Sequence, residues 1–97
     1  MSQAFDHLLE LISHLRSPDG CAWDRKQTHD TLRSHLLEET YEVLETLDQQ
    51  EPNSLKEELG DLLLQVLLHA HIEEEEGHFS MNDVVIHLSE KLIRRHP

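Results

Sequence analysis

The chain has 97 residues, the length of one domain, and its hydrophobic (37%) and charged (29%) contents are those of a globular protein. Its formal charge of −12 at pH 7 argues against binding to a nucleic-acid polymer, which requires a basic surface. The charge remains compatible with a phosphate ligand, because a bound divalent cation can reverse the sign of the local field. We therefore expect one domain over residues 1–97, with association between subunits supplying additional core.

The location of the protein is predicted from its cysteine content and its apolar runs. The single cysteine, Cys21, cannot form an intramolecular disulfide, which fits a reducing compartment. The first residues lack a signal-peptide pattern, and no apolar run reaches the roughly 18 residues of a membrane span. These features predict a cytoplasmic protein without a membrane partner.

Four helices are predicted, and no segment has the alternating pattern of a β-strand. The first extends from about Gln3 to Leu15, where apolar residues recur at helical spacing. A turn at residues 17–20 opens a loop that continues to about His29. The second helix extends from about Asp30 to Gln50 and ends before a proline. The fold class is therefore all-α, a bundle of four helices.

The third and fourth helices are predicted from their capping residues and their apolar positions. The third begins near Asn53 or Ser54, either of which is a good N-cap, and ends before Gly77. Ser80 caps the fourth helix, which ends by Pro97. The third helix is apolar around most of its circumference, which predicts that it is largely buried. The side chains of the fourth helix predicted to face inward are Met81, Val84, Val85, Leu88 and Leu92.

Acidic residues recur at a spacing of three on the second and third helices. Glu39 and Glu42 are neighbours at the edge of the apolar arc of the second helix, as Glu58 and Asp61 are on the third. Carboxylates on a helix this apolar are costly unless a cation neutralises them. Oxygen ligands in this number suit Mg²⁺ or Mn²⁺. An exposed acidic strip on each helix is the alternative interpretation.

Three further sites depend on the same hypothesis. Glu38, adjacent to the acidic pair of the second helix, is a candidate acceptor for the proton of an attacking water. A basic cluster at the end of the fourth helix could bind phosphate or simply complement the helix dipole. Trp23 could stack on a base, but we expect it to fill the core instead. The basic residues are Lys91, Arg94 and Arg95.

The acidic motifs resemble the MazG family of nucleoside triphosphate pyrophosphohydrolases. Its signature, Glu-Glu-x-x-Glu followed by Glu-x-x-Asp, corresponds to residues 38–42 and 58–61. Residues 15–28 resemble the loop before that signature, although Ala22 stands where the family often has proline. Residues 57–65, 77–79 and 91–97 also resemble family segments, so the resemblance covers nearly the whole chain.

This resemblance implies an all-α fold in which subunits pair, as homodimers or as dimers of dimers. It also implies Mg²⁺-dependent hydrolysis of a nucleoside or deoxynucleoside triphosphate to the monophosphate and pyrophosphate. The metal ligands would be the two acidic pairs, with Glu38 in support. The substrate contacts would be Trp23, Lys91, Arg94 and Arg95.

Two other functions remain open from the sequence. One is a non-catalytic helical module that binds partners through its apolar faces. The other is a related pyrophosphohydrolase that acts on a phosphoribosyl nucleotide.

Overall fold

The computed structural model describes residues 2–96, and within them every regular element is a helix. The four predicted long helices are present, and a single helical turn, α2, lies in the loop predicted between the first two. The elements are α1 (Gln3–Leu15), α2 (Ala22–Arg25), α3 (His29–Gln49), α4 (Pro52–Glu75) and α5 (Met81–Arg95).

Side-chain caps determine where the long helices begin. Thr28 and Thr31 form a reciprocal capping box at the start of α3, and Ser80 and Asp83 form another at the start of α5. The predicted N-cap of α4 at Asn53 or Ser54 is wrong. Glu51 caps this helix by accepting from the Asn53 amide, because Pro52 is already suited to its first turn.

The helices pack around α4. Its main partner is the antiparallel helix α3, while α1 and α5 each lie against other parts of its surface. Arranged in this way, α1, α3 and α4 enclose a small apolar core. The core comprises Ile12, Leu32, Leu67, Leu68 and Ile72, with Phe5, Leu8, Leu9 and Met81 packed against it.

A large apolar surface of the single chain remains uncovered. Leu88 and Leu92 of α5 were predicted to face inward, but they are 52% and 49% exposed. The expected burial of α4 is likewise incomplete, since Leu59 is 48% exposed. The physical reason is that 97 residues supply too few helices to cover every apolar face. No helix within residues 2–96 combines the length and hydropathy that crossing a membrane requires.

Candidate metal centre

The antiparallel pairing of α3 and α4 brings three carboxylates together. Glu39 lies in the middle of α3, and Glu58 and Asp61 lie one turn apart on α4. One carboxylate oxygen from each of the three lies within 4.8 Å of the others. Residues separated by about twenty positions in the sequence therefore form a single acidic cluster.

The pKa values of two carboxylates in this acidic cluster are raised. Partial burial is the main cause that raises the pKa of Glu39, and the negative charge of Asp61 raises it further. The pKa of Glu58 is raised by the same two causes in the same order. Within residues 2–96, none of the three carboxylates forms an ion pair with a basic side chain. The cluster therefore carries negative charge that a cation would neutralise.

The donor set of the acidic cluster fits a hard divalent cation. All three groups supply carboxylate oxygens, the ligands that Mg²⁺ and Mn²⁺ prefer. Three protein ligands leave positions for water or for the oxygens of a phosphate. The cluster is also partly open to solvent, because Asp61 is exposed while Glu39 and Glu58 are half-buried.

The other two predicted acids lie beside the cluster. Glu42 does not belong to the group of oxygens within 4.8 Å, yet its charge raises the pKa of both Glu39 and Glu58. Glu38 is exposed, and its charge raises the pKa of Glu39. The structure thus joins three of the four predicted ligands and leaves the fourth within electrostatic reach.

Trp23 lies on the surface of α2. Our expectation that it fills the core is wrong, because the residue is 52% exposed. Its ring meets the imidazole of His35 edge to face, with the centroids 5.6 Å apart. His35 precedes Glu39 by one helical turn, and its positive form lowers the pKa of that carboxyl. The indole therefore lies near the edge of the acidic cluster.

The basic residues lie on the last two turns of α5. Lys91 is half-buried along a groove of about 600 Å³ that Phe79 and Leu88 also line. Arg94 and Arg95 are exposed, and none of the three basic side chains forms an ion pair within the described residues. The structure does not bring them into contact with the acidic cluster.

Two polar residues that the sequence patterns had not indicated are buried next to α2. Arg16 is the C-cap of α1, and its side chain is only 7% exposed. Gln27 is 8% exposed and lies between α2 and α3. Both residues lie in segment 15–28, whose resemblance to the family was visible in the sequence. Their burial could not be predicted, because no apolar periodicity extends through that loop.

Comparison with known proteins identifies relatives over nearly the whole chain. Residues 27–97 match the model of the MazG nucleotide pyrophosphohydrolase domain. A Thermotoga maritima protein named nucleoside triphosphate pyrophosphohydrolase/pyrophosphatase MazG is 54% identical over 93 residues, which are 96% of this chain and 36% of that protein. The nucleoside triphosphate pyrophosphohydrolase of Escherichia coli is 47% identical over 93 residues, 95% of this chain and 35% of that protein.

A third relative, the uncharacterized protein YabN of Bacillus subtilis, is 52% identical over 93 residues, which are 96% of this chain and 19% of that protein. The chain therefore spans about a third or less of the length of these curated relatives.

Proposed function

Because this chain belongs to the MazG nucleotide pyrophosphohydrolase domain family, we propose that it hydrolyses nucleoside or deoxynucleoside triphosphates to the monophosphate and pyrophosphate. The observation that carries this proposal is the convergence of Glu39, Glu58 and Asp61 within 4.8 Å. The names of the relatives support the same reaction class. The free thiol of Cys21 supports a cytoplasmic location.

We propose that Mg²⁺, or Mn²⁺ in its place, is held by Glu39, Glu58 and Asp61, with Glu42 as a further ligand. When bound, the cation would neutralise phosphate charge and polarise the phosphoryl oxygens. The protein's part is to hold these carboxylates convergent on two packed helices, where the bound cation would favour their ionised form. Rigid elements hold such ligands more precisely than loops do.

The remaining predicted residues would handle the water and the substrate. Glu38 is exposed next to the acidic cluster, where its carboxylate could accept the proton of the attacking water. Trp23 offers a half-exposed aromatic face on which a nucleobase could stack. The phosphate end of the substrate would be bound by the basic residues of α5, which are Lys91, Arg94 and Arg95.

We further propose that a second copy of the chain completes the bundle. Exposed apolar side chains occur on all three of the helices α3, α4 and α5, and a surface of this kind is typical of an interface. Examples are Tyr41 at 62%, Leu44 at 49%, Leu59 at 48% and Leu88 at 52% exposure.

The reaction is tested by separating the products after incubation with a panel of ribo- and deoxynucleoside triphosphates and Mg²⁺. We expect pyrophosphate and the nucleoside monophosphate in equal amounts, and orthophosphate as the primary product would refute the reaction. Including phosphoribosyl nucleotides in the panel distinguishes the related activity, because turnover of those substrates alone would also contradict the proposal.

Variants of the acidic cluster test the site itself. Glu39→Gln and Asp61→Asn should each lower kcat by at least about a hundredfold, since each removes a charged ligand of the cation that would polarise the reacting phosphate. The matched control is Glu45→Gln, which removes an exposed acid of α3 outside the cluster. A catalytically silent helical module would show neither turnover nor nucleotide affinity in any of these chains.

A further inference from the structure

Arg16 makes a fork-like ion pair across the fold. Its Nε and Nη2 atoms donate to the two carboxylate oxygens of Glu75, at 2.9 and 2.8 Å. Arg16 is the C-cap of α1, and Glu75 is the last residue of α4. Bidentate pairs of this kind fix direction as well as distance. The end of α1 is therefore held in one orientation against the end of α4.

The same guanidinium also holds the end of α2. Its Nη1 atom donates to the carbonyl oxygens of Asp24 and Gln27, at 2.7 and 3.0 Å. The buried Gln27 side chain donates to the carbonyl of Trp23 at 2.9 Å and accepts from the Thr31 hydroxyl at 2.8 Å. Three backbone carbonyls at this helix end are thus satisfied by two buried side chains.

These contacts determine where α2 lies. A helix of four residues cannot hold itself in place, because a single turn gains too few hydrogen bonds to offset the entropy of ordering it. Within the described residues, the side chain of Arg16 is the only one that bonds α2, the end of α1 and the end of α4 together. Lysine could not replace it, because one ammonium lacks the planar set of donors.

The functional consequence is the placement of the indole. Trp23 is carried by α2, and its ring lies against His35, one helical turn before Glu39. The aromatic ring is therefore held near the acidic cluster by the backbone that Arg16 fixes, while Arg16 itself contacts none of the cluster residues.

We propose that Arg16 is a positioning residue, which acts through α2 to hold Trp23 beside the acidic cluster and so sets the affinity for the base-bearing end of the nucleotide. This inference rests on the proposed function. It adds a residue to the substrate-binding machinery that lies in neither the acidic signature nor the basic cluster.

The test uses Trp23 as its own probe, since it is the only tryptophan in the chain. In Arg16→Gln we expect the indole to gain fast local motion, visible in time-resolved fluorescence anisotropy as a larger component that decays faster than the overall tumbling of the protein. With nucleoside triphosphate and Mg²⁺ we expect KM to rise about tenfold, the loss of one base–aromatic stack, while kcat stays within about twofold.

The matched control is Arg33→Gln. The side chain of Arg33, on α3, is 82% exposed, and its one ion pair among residues 2–96 is with Asp30, at 3.4 Å. We expect it to leave the anisotropy decay, KM and kcat unchanged. Glu75→Gln serves as a second, milder variant, since it weakens the fork while the bonds from Arg16 to α2 remain. It should shift KM and the anisotropy in the same direction as Arg16→Gln, by a smaller amount. If Arg16→Gln loses its helical circular dichroism, Glu75→Gln becomes the variant that tests whether Arg16 positions Trp23.

Several results would overturn the inference. The first is an unchanged KM in Arg16→Gln, and the second is a raised KM with unchanged indole motion. The third is an equal loss of kcat and kcat/KM, because that result would indicate damage to the acidic cluster instead. Absence of turnover in the unmodified chain would reject the proposed function, and the anisotropy comparison would then still decide whether Arg16 holds Trp23.

Discussion

The imidazoles of His29 and His69 lie nearly parallel, at an interplanar angle of 4°, with their Nδ1 atoms 2.7 Å apart. This contact joins the first residue of α3 to the C-terminal half of α4. Because one nitrogen must donate and the other accept, the bond requires at least one neutral ring. Glu73 extends the network, since its two carboxylate oxygens bond His29 at 3.1 Å and His78 at 2.6 Å.

Acid should therefore weaken the junction between α3 and α4. Burial is the main cause that lowers the pKa of His69 below its ordinary value of 6.5, and the charge of His29 adds to it. A lowered pKa means that the unfolded chain binds more protons, so the stabilisation is complete above pH 6.5 and is lost as the pH falls below it. Chemical denaturation at pH 7.5 and 5.5 should show the lower free energy of unfolding at pH 5.5.

Replacing the ring separates this effect from general acid unfolding. In His69→Gln the difference in stability between pH 7.5 and 5.5 should shrink, while the exposed control His7→Gln should keep the full difference. An equal pH dependence in both variants would show that His69 does not carry it. A second loss is expected below pH 4.5, because hydrogen bonds from His78 and Arg16 lower the pKa values of Glu73 and Glu75.

Mg²⁺ should stabilise the folded chain through the acidic cluster. At a concentration one hundred times its Kd, a ligand of the native state adds about 2.7 kcal/mol, which is roughly ten to twenty degrees in Tm for a domain of this size. Asp61→Asn should abolish this gain, and Glu45→Gln should retain it. In EDTA, where no cation is bound, Asp61→Asn should be at least as stable as the unmodified chain, because the substitution removes charge repulsion. A Mg²⁺ shift that survives in Asp61→Asn would contradict the assigned ligands.

The gain from Mg²⁺ should also depend on pH. Burial and neighbouring charges raise the pKa values of Glu39 and Glu58, so protons compete with the cation over a wider range than at isolated carboxylates. Thermal shifts measured with and without Mg²⁺ should therefore grow from pH 5 to pH 7. A gain that is constant over this range would show that those two carboxylates do not bind the cation.

The apolar surface of α3 and α4 should mediate association. Leu44→Glu should convert a dimer into monomers in sedimentation equilibrium, because it places a charge on that surface. The control is Leu11→Glu, which changes an exposed leucine of α1, 46% exposed against 49% for Leu44. Monomers in the unmodified chain at micromolar concentration would refute the proposed self-association.

Two glycines should respond differently to side chains. A Cβ on Gly20 would collide with the backbone carbonyl groups of His14 and Leu15, so Gly20→Ala and Gly20→Asn should both destabilise the chain, by about 2 kcal/mol or more. Gly77 has a φ of +78° and open space around it. Gly77→Ala should cost about 1 kcal/mol, and Gly77→Asn less, because asparagine tolerates this conformation. Urea denaturation would compare the four variants.

Most of the secondary structure could be predicted from the sequence. Apolar periodicity and capping residues located the four long helices, and the predicted bounds of α1 coincide with those observed. The start of α4 was misplaced because Asn53 and Ser54 are both residues that favour an N-cap, whereas Glu51 and Pro52 form the observed start. The turn α2 was missed because four residues cannot display a period.

By itself, the sequence determined the helical fold class and the acidic residues from which a site could form, because periodicity and spacing are properties of the chain. Only the tertiary structure decided that Glu39 meets Glu58 and Asp61, that Trp23 lies on the surface, and that Arg16 is buried among carbonyl groups. These outcomes depend on how α3 lies against α4, and on buried polar atoms that must find partners wherever packing places them.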